Sequence, residues 1–305
     1  MLAGRFGAEP GGVVFTSGGT EANALAVHAL RPGRCVIAGA TEHDAVRAAA
    51  PGAAILPVDQ HGTARLDLLP ALLTEGPALV CLMLANNETG TLQPVAEAAT
   101  LCRAAGAMLH VDAVQAAGRL AVSLAELGAH SMAISSHKLG GPSGAGALLL
   151  APGVEIDPLI RGGGQERGRR GGTPGLPAIA GFAAAAGAAR PCHIRELRDR
   201  LEAASVAMGA VVLGGAARLA NTACLALPGM PAESQVIALD LAGVQVSAGA
   251  ACSSGKVARS HVLEAMGLGA LAGEAIRVSL PWNAAEGDVD AFLRAYAPLA
   301  RRRAA

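Results

Sequence analysis

In the first half of the chain, short apolar runs alternate with stretches in which apolar positions recur at helical spacing. The runs at residues 13–16, 35–38, 54–58, 78–84, 107–111, 131–135 and 145–150 predict strands. The stretches at 20–30, 45–50, 66–74 and 95–105, and a shorter one near Val114, predict helices between them. Strands separated by helices imply a mainly parallel sheet covered on both faces. A Gly/Arg-rich loop spans residues 161–172, and the charge-free stretch 171–189 predicts a buried alanine helix after its opening breakers. Beyond Pro191 the pattern changes. Helices are predicted at 194–208, 233–241 and 285–299, and strands near 211–213, 222–227, 244–247 and 276–280. That describes a smaller α+β domain over 191–305 behind a large domain over 1–190, a division that suits a chain of 305 residues. The sequence shows no internal repeat.

Composition narrows the classes. Hydrophobic residues make up 52% and charged residues 16%, enough apolar surface for a core. Aromatics are only 2%, so Ala, Val, Leu and Ile must build it. The 24 cationic residues balance 24 acidic ones, which argues against nucleic acid as a partner. Mean hydropathy is +0.41, yet the longest charge-free stretch opens with Gly and Pro and continues in weakly apolar residues, a poor membrane span. The start of the chain has no continuous apolar segment of the signal-peptide kind. The six cysteines are scattered without a Cys-x-x-Cys pair, so neither a disulfide framework nor a stable metal site is expected, and a cytoplasmic setting fits.

The candidate chemistry lies at the strand ends. The run at 13–16 leads into Ser17-Gly18-Gly19-Thr20-Glu21, and that at 35–38 into Thr41-Glu42-His43. The run at 78–84 leads into Asn86-Asn87-Glu88. That at 107–111 ends in Asp112, with Gln115 a turn later, and that at 131–135 leads into Ser136-His137-Lys138. Ligands of open parallel sheets bind beyond the carboxyl ends of the strands. Polar residues at five such ends therefore suggest one site along one edge.

Each residue also has a structural reading. The Gly18-Gly19-Thr20 turn is either a phosphate cradle at a helix start or a Ser/Thr-capped helix. Asp112 is either a helix cap or a buried carboxylate awaiting a cationic N–H donor such as a pyridinium. His43 either packs structurally or stacks on a flat ligand and moves a proton. Only Lys138 and Lys256 are lysines among the cations, and a lysine amine, unlike a guanidinium, can lose its proton and form an imine. Lys138 is an exposed turn lysine or that amine. Cys252 sits among small residues with Lys256 nearby, either an ordinary loop cysteine or a reactive thiolate.

In their order these motifs resemble the NifS/IscS-type cysteine desulfurases, within the class V aminotransferase group of fold type I pyridoxal-phosphate enzymes. The resemblance rests on the run from Thr16 to Asn23, Thr41-Glu42-His43, the run from Asn86 to Gly90, and His110-Val111-Asp112-Ala113-Val114-Gln115. It continues through Ser135-Ser136-His137-Lys138, the run from Gly162 to Thr173, Cys252 in its loop, and Ile276-Arg277-Val278-Ser279-Leu280. It implies an α/β fold type I large domain with a smaller C-terminal domain carrying the Cys252 loop and Arg277. It implies that Lys138 holds pyridoxal 5'-phosphate, that Gly19, Thr20, Ser135, His137 and a partner-subunit Thr173 hold its phosphate, and that His43 stacks on its ring. Asp112 would pair with the ring nitrogen, Gln115 and Asn87 would meet the ring oxygen and substrate, and Arg277 would clamp the substrate carboxylate. Cys252 would take sulfur from L-cysteine as a persulfide, releasing L-alanine, and pass it to an acceptor such as an iron–sulfur scaffold protein, with which it would also serve as a transient cluster ligand. A homodimer is implied. Alternatives on the same fold are a selenocysteine lyase or another class V lyase, and a truncated non-catalytic paralogue that binds a partner subunit. The sequence departs from the family pattern in lacking a segment ahead of Met1, in Pro281 where Gly is usual, and in Ser143 where Lys is common. The first departure implies a start site further upstream or a truncated form.

Overall fold

The structure, a computed structural model of the chain, describes residues 1–188, 194–249 and 259–304. It divides into two compact units. One comprises Met1–Pro57, Ala64–Ala85 and Gln93–Pro191, and the other Val58–Thr63, Asn86–Leu92 and Cys192–Ala305.

The first unit is built on a seven-stranded sheet of β1 (Val13–Thr16), β2 (Cys35–Gly39), β3 (Ala54–Leu56), β4 (Ala78–Met83), β5 (Met108–Asp112), β6 (Ser131–Ser135) and β7 (Gly146–Leu150). The strand order is β1-β7-β6-β5-β4-β2-β3. β7 pairs antiparallel with both neighbours, and every other pairing is parallel. So β1, β2, β4, β5 and β6 all point their carboxyl ends at one edge. β4 is buried at every position, as its uninterrupted apolar run requires of a strand covered on both faces. Around the sheet lie α1 (Leu2–Arg5), α2 (Gly19–Leu30), α3 (Asp44–Arg47), α4 (Leu69–Leu72), α5 (Val95–Ala104), α6 (Leu124–Leu127) and α7 (Leu176–Ala188). α2 packs across β5, β6 and β7, placing Ala22, Leu25 and Ala26 in a core shared with Val14, Leu79 and Leu148.

The second unit is a four-stranded antiparallel sheet ordered β10-β11-β9-β8, from β8 (Val211–Leu213), β9 (Thr222–Ala226), β10 (Ser247–Ala248) and β11 (Ala275–Ser279). α8 (Ile194–Ala207), α9 (Ala232–Leu241), α10 (His261–Ala265) and α11 (Glu286–Ala304) complete it. Phe292 and Tyr296 stack at 5.2 Å between centroids within a core that also holds Leu225, Ile276 and Val289.

Several expectations are corrected. The helix near Val114 is a single turn, with the Ala116 and Ala117 N–H groups on the Ala113 carbonyl, and Gly118 at φ 82° follows it. The stretch 66–74 keeps only α4 as α-helix, with Pro70 at its start. The strand near 244–247 shrinks to β10, because Val244 and Val246 pack against the core while cross-strand pairing begins at Ser247. The alanine helix exists as α7, but only Phe182 and Ala186 are buried; these lie one turn apart, and alanine methyls lose little by facing water. Helices α1, α6 and α10 were not expected from periodicity. The last two start at Ser123 and Ser260, whose hydroxyls accept from Glu126 and Leu263 N–H. No helix among the described residues is long and apolar enough to cross a membrane.

Leu79 on β4 is fully buried, whereas Ile55 on the edge strand β3 is 55% exposed. Leu79→Ala should cost about 2–5 kcal/mol in urea unfolding, and Ile55→Ala less than about 1 kcal/mol. Equal costs would mean the sheet is not buried as described.

Candidate active site

β1 and α2 are joined by Ser17-Gly18, and Gly18 stands at the helix N-cap with no side chain capping it. The Ser/Thr-capped alternative therefore does not hold, and the first turn is left without a side-chain acceptor. The turn is held from outside. Ser17 N–H donates to Glu21 Oε2 at 2.8 Å, and Arg170 grips Glu21 with Nε at 2.7 Å and Nη2 at 3.1 Å. These bonds draw the Glu21 carboxyl below its ordinary range against the opposing effect of burial. Backbone packs tightly on both sides. A Cβ at Gly146 would lie 2.5 Å from the Gly18 carbonyl carbon, and one at Gly19 would lie 2.6 Å from Val114 Cγ2. Beside this turn opens a cavity of about 370 Å³ bounded by Gly18, Gly19, Thr20, His137 and Ser143.

β6 ends in a 3₁₀ turn, Ser136–Leu139, that carries His137 and Lys138. Gly140 at φ 86° closes it, with Gly141 N–H on the Ser136 carbonyl at 3.0 Å. Ser135 Oγ lies 2.9 Å from His137 Nδ1. Partial desolvation, then the Lys138 charge, lower the His137 pKa.

Asp112 ends β5 and is buried. Its Oδ1 accepts from Val114 N–H at 2.9 Å and its Oδ2 from Asn23 Nδ2 at 2.7 Å. Burial raises its pKa, and these two donors and the His43 charge work the other way. His43 caps α3, its Nδ1 accepting from Ala45 N–H at 3.0 Å, so in the neutral ring the proton is on Nε2. The structural reading of His43 is thus real, and it fixes the ring. Gln115 is half-buried, its side chain accepting from Arg119 Nη1 at 3.1 Å.

Lys138, Gly19, Thr20, Ser135, His137, His43, Asp112 and Gln115 all belong to the first unit, at or just beyond the carboxyl ends of β1, β2, β5 and β6. Thr173 also belongs to it and is exposed. Asn87 and Arg277 belong to the second unit. There Arg277 Nη1 donates to the Asn87 carbonyl at 2.9 Å and Nη2 to Ser247 Oγ at 3.1 Å, while the buried Nε has no hydrogen-bond partner among the described residues. Cys252 and Lys256 lie outside the described residues.

The buried Asn23, His110 and Ser131 received no role from sequence. His110 Nε2 lies 2.9 Å from Asn23 Oδ1, and His110 Nδ1 lies 2.8 Å from Ser131 Oγ. In the same unit Glu166 reaches β1, accepting from Phe15 N–H at 2.9 Å. The available signal was a polar residue inside an apolar element: Asn23 within α2 and His110 within β5 must find partners.

A mainly parallel seven-stranded α/β sheet with its polar residues gathered at the carboxyl edge is the fold type I architecture. The family description "Aminotransferase class-V" matches residues 2–292, and the chain belongs to that family. A cysteine desulfurase of Cereibacter sphaeroides is 42% identical over 94% of this chain and 79% of its own length. The cysteine desulfurase NifS of Azotobacter vinelandii is 38% identical over 94% and 77%. The solved NifS-like protein of Rickettsia africae superposes with a TM-score of 0.88 at 32% identity, covering 98% of this chain and 83% of that one.

Two predictions follow from the geometry. Gly146→Ala forces a methyl into the Gly18 backbone and should destabilise the protein by about 1–3 kcal/mol in urea; an unchanged midpoint would contradict the close approach. Burial also lowers the His110 pKa from 6.5 to about 4. As pH falls through that interval the unfolded chain takes the proton first, so stability drops, by roughly 3 kcal/mol from this residue. His110→Gln should flatten the fall between pH 6.5 and 4; a slope identical to wild type would count against it.

Proposed function

We propose that this protein is a pyridoxal-phosphate-dependent cysteine desulfurase. The observation that carries the reading is a cradle, an amine and a buried carboxylate on one sheet edge: the Gly18–Thr20 turn, Lys138 and Asp112. The family relationship supports the same cofactor.

The residues fit it. The uncapped start of α2 suits a phosphate, since free N–H groups and the positive end of the helix dipole face it. Gly19 and Gly146 keep backbone where a Cβ would collide. Asp112 is a buried carboxylate with two donors already in place, and a pyridinium N–H would add the charged donor that offsets its burial. When bound, the cofactor supplies an electron sink for the substrate amine.

In this reading Gly19, Thr20, Ser135 and His137 hold the phosphate, and Thr173, exposed on its own chain, does so from a partner copy in a homodimer. His43, fixed through Nδ1, stacks and exchanges a proton through Nε2. Lys138 holds the cofactor and moves a proton at Nζ. Gln115 and Asn87 contact the ring oxygen and the substrate. Arg277, with Nε still to be paired, takes the carboxylate of L-cysteine. The Cys252 thiolate bonds to the substrate sulfur as the carbon–sulfur bond breaks, and a proton on the substrate carbon completes L-alanine. The persulfide on Cys252 then passes to a sulfur acceptor, such as an iron–sulfur scaffold protein. A thiol carrier of this kind suits a reducing, cytoplasmic setting. The selenocysteine-lyase and non-catalytic alternatives draw no support from the relatives named above.

Purified with the cofactor, the protein should be yellow, and borohydride should fix the adduct on Lys138. An adduct on Lys256, or none, overturns the reading. Cys252→Ala should lower sulfide release from cysteine by roughly a hundredfold or more with the colour retained; normal turnover would remove Cys252 from its role.

A further inference from the structure

Asn23, His110 and Ser131 have no part in the chemistry above, yet all three are buried and joined to Asp112. Asn23 is 1% exposed within α2, and His110 and Ser131 are fully buried in β5 and β6. The hydrogen bonds admit one consistent set of directions. A carboxylate only accepts, so the Asn23 amide must turn its NH₂ to Asp112 Oδ2 at 2.7 Å. Its carbonyl then faces His110 Nε2 at 2.9 Å, so that nitrogen carries the proton. A neutral imidazole has one N–H, so His110 Nδ1 accepts from the Ser131 hydroxyl at 2.8 Å. Every donation on this path runs toward Asp112. Reversing the amide would set two acceptors against each other at Asp112, so the carboxylate fixes the direction of the whole path.

The placement of Asn23 adds to this. It lies one turn into α2, whose first turn holds Gly19 and Thr20. One rigid helix therefore fixes the cradle and, through Asn23, the carboxylate on β5. Apolar residues at these three positions would fill the space as well, and Asp112 would then keep the Val114 N–H as its one described hydrogen bond.

We propose that Asn23, oriented by His110 and Ser131, is a positioning residue that aims the Asp112 carboxylate and holds it as an acceptor for the ring nitrogen of the bound cofactor. This rests on the reading of Asp112 as the partner of that nitrogen. Asn23 and His110 do not touch the reacting atoms; they act through Asp112.

The test has two arms. In the cofactor-free protein, ¹⁵N-histidine spectra should show His110 as the Nε2–H tautomer, and a proton on Nδ1 overturns the relay. In the loaded protein, pyridoxal phosphate labelled with ¹⁵N in its ring should give a pyridinium resonance in the wild type. Asn23→Leu, near in size, should move the protonation equilibrium toward neutral pyridine by about tenfold or more, the scale of one hydrogen bond to a charged group. His110→Phe should move it the same way, and His110→Gln, whose amide can donate to Asn23, should restore it. Should Asn23→Leu not fold by circular dichroism, the His110→Phe and His110→Gln pair decides the question. An unmoved resonance, with the Lys138 adduct intact, overturns the positioning role and leaves the cofactor reading standing. A wild type in which no labelled cofactor joins Lys138 overturns both.

Discussion

A carboxylate at the end of a strand buried on both faces is costly unless donors surround it, and Asp112 stands in that position. The first unit is arranged around meeting that cost. β5 delivers the carboxylate, the turn at Val114 gives one donor and α2 gives the other through Asn23. Asn23 must in turn be held, which explains a buried histidine and a buried serine side by side in β5 and β6. Removing one member leaves the next unsatisfied, so the group behaves as a unit.

Small residues supply the second condition. With few aromatics, the core is filled by Ala, Leu and Val, and elements approach closely. Gly146 lets β7 meet the Gly18 backbone, and Gly19 lets the start of α2 reach Val114 beside Ser135. These contacts bring the cradle, the end of β5 and the turn bearing Lys138 together at one edge. The cradle is tied to the Gly-rich loop through Glu21 and Arg170, a largely buried, two-pronged pair.

Asn86–Leu92 belongs to the second unit although it follows a strand of the large sheet. Asn87 gives its carbonyl to Arg277, and Glu88 accepts from Ser260 Oγ at 2.5 Å. Among the described residues Arg277 is thereby fixed by a backbone carbonyl and a hydroxyl, with no carboxylate paired to its charge.

Much of this was legible in the chain. The alternation of apolar runs marked all seven strands of the large sheet, most plainly the central β4, which is covered on both faces and apolar throughout. The polar residues after β1, β2, β5 and β6 marked the edge where Lys138, Asp112 and His43 lie, because a parallel sheet sends those ends one way, whereas those after β4 fall in the second unit. The turn at Val114, the short β10 and the exposure of α7 were not legible, since each depends on what packs beside it rather than on local pattern. Nor was the relay. The sequence by itself determined that Asn23, His110 and Ser131 sit in apolar surroundings and need partners. Only the tertiary structure decided that they are one another's partners and that the path ends on Asp112, because hydrogen bonding depends on which side chains three separate elements bring within about 3 Å.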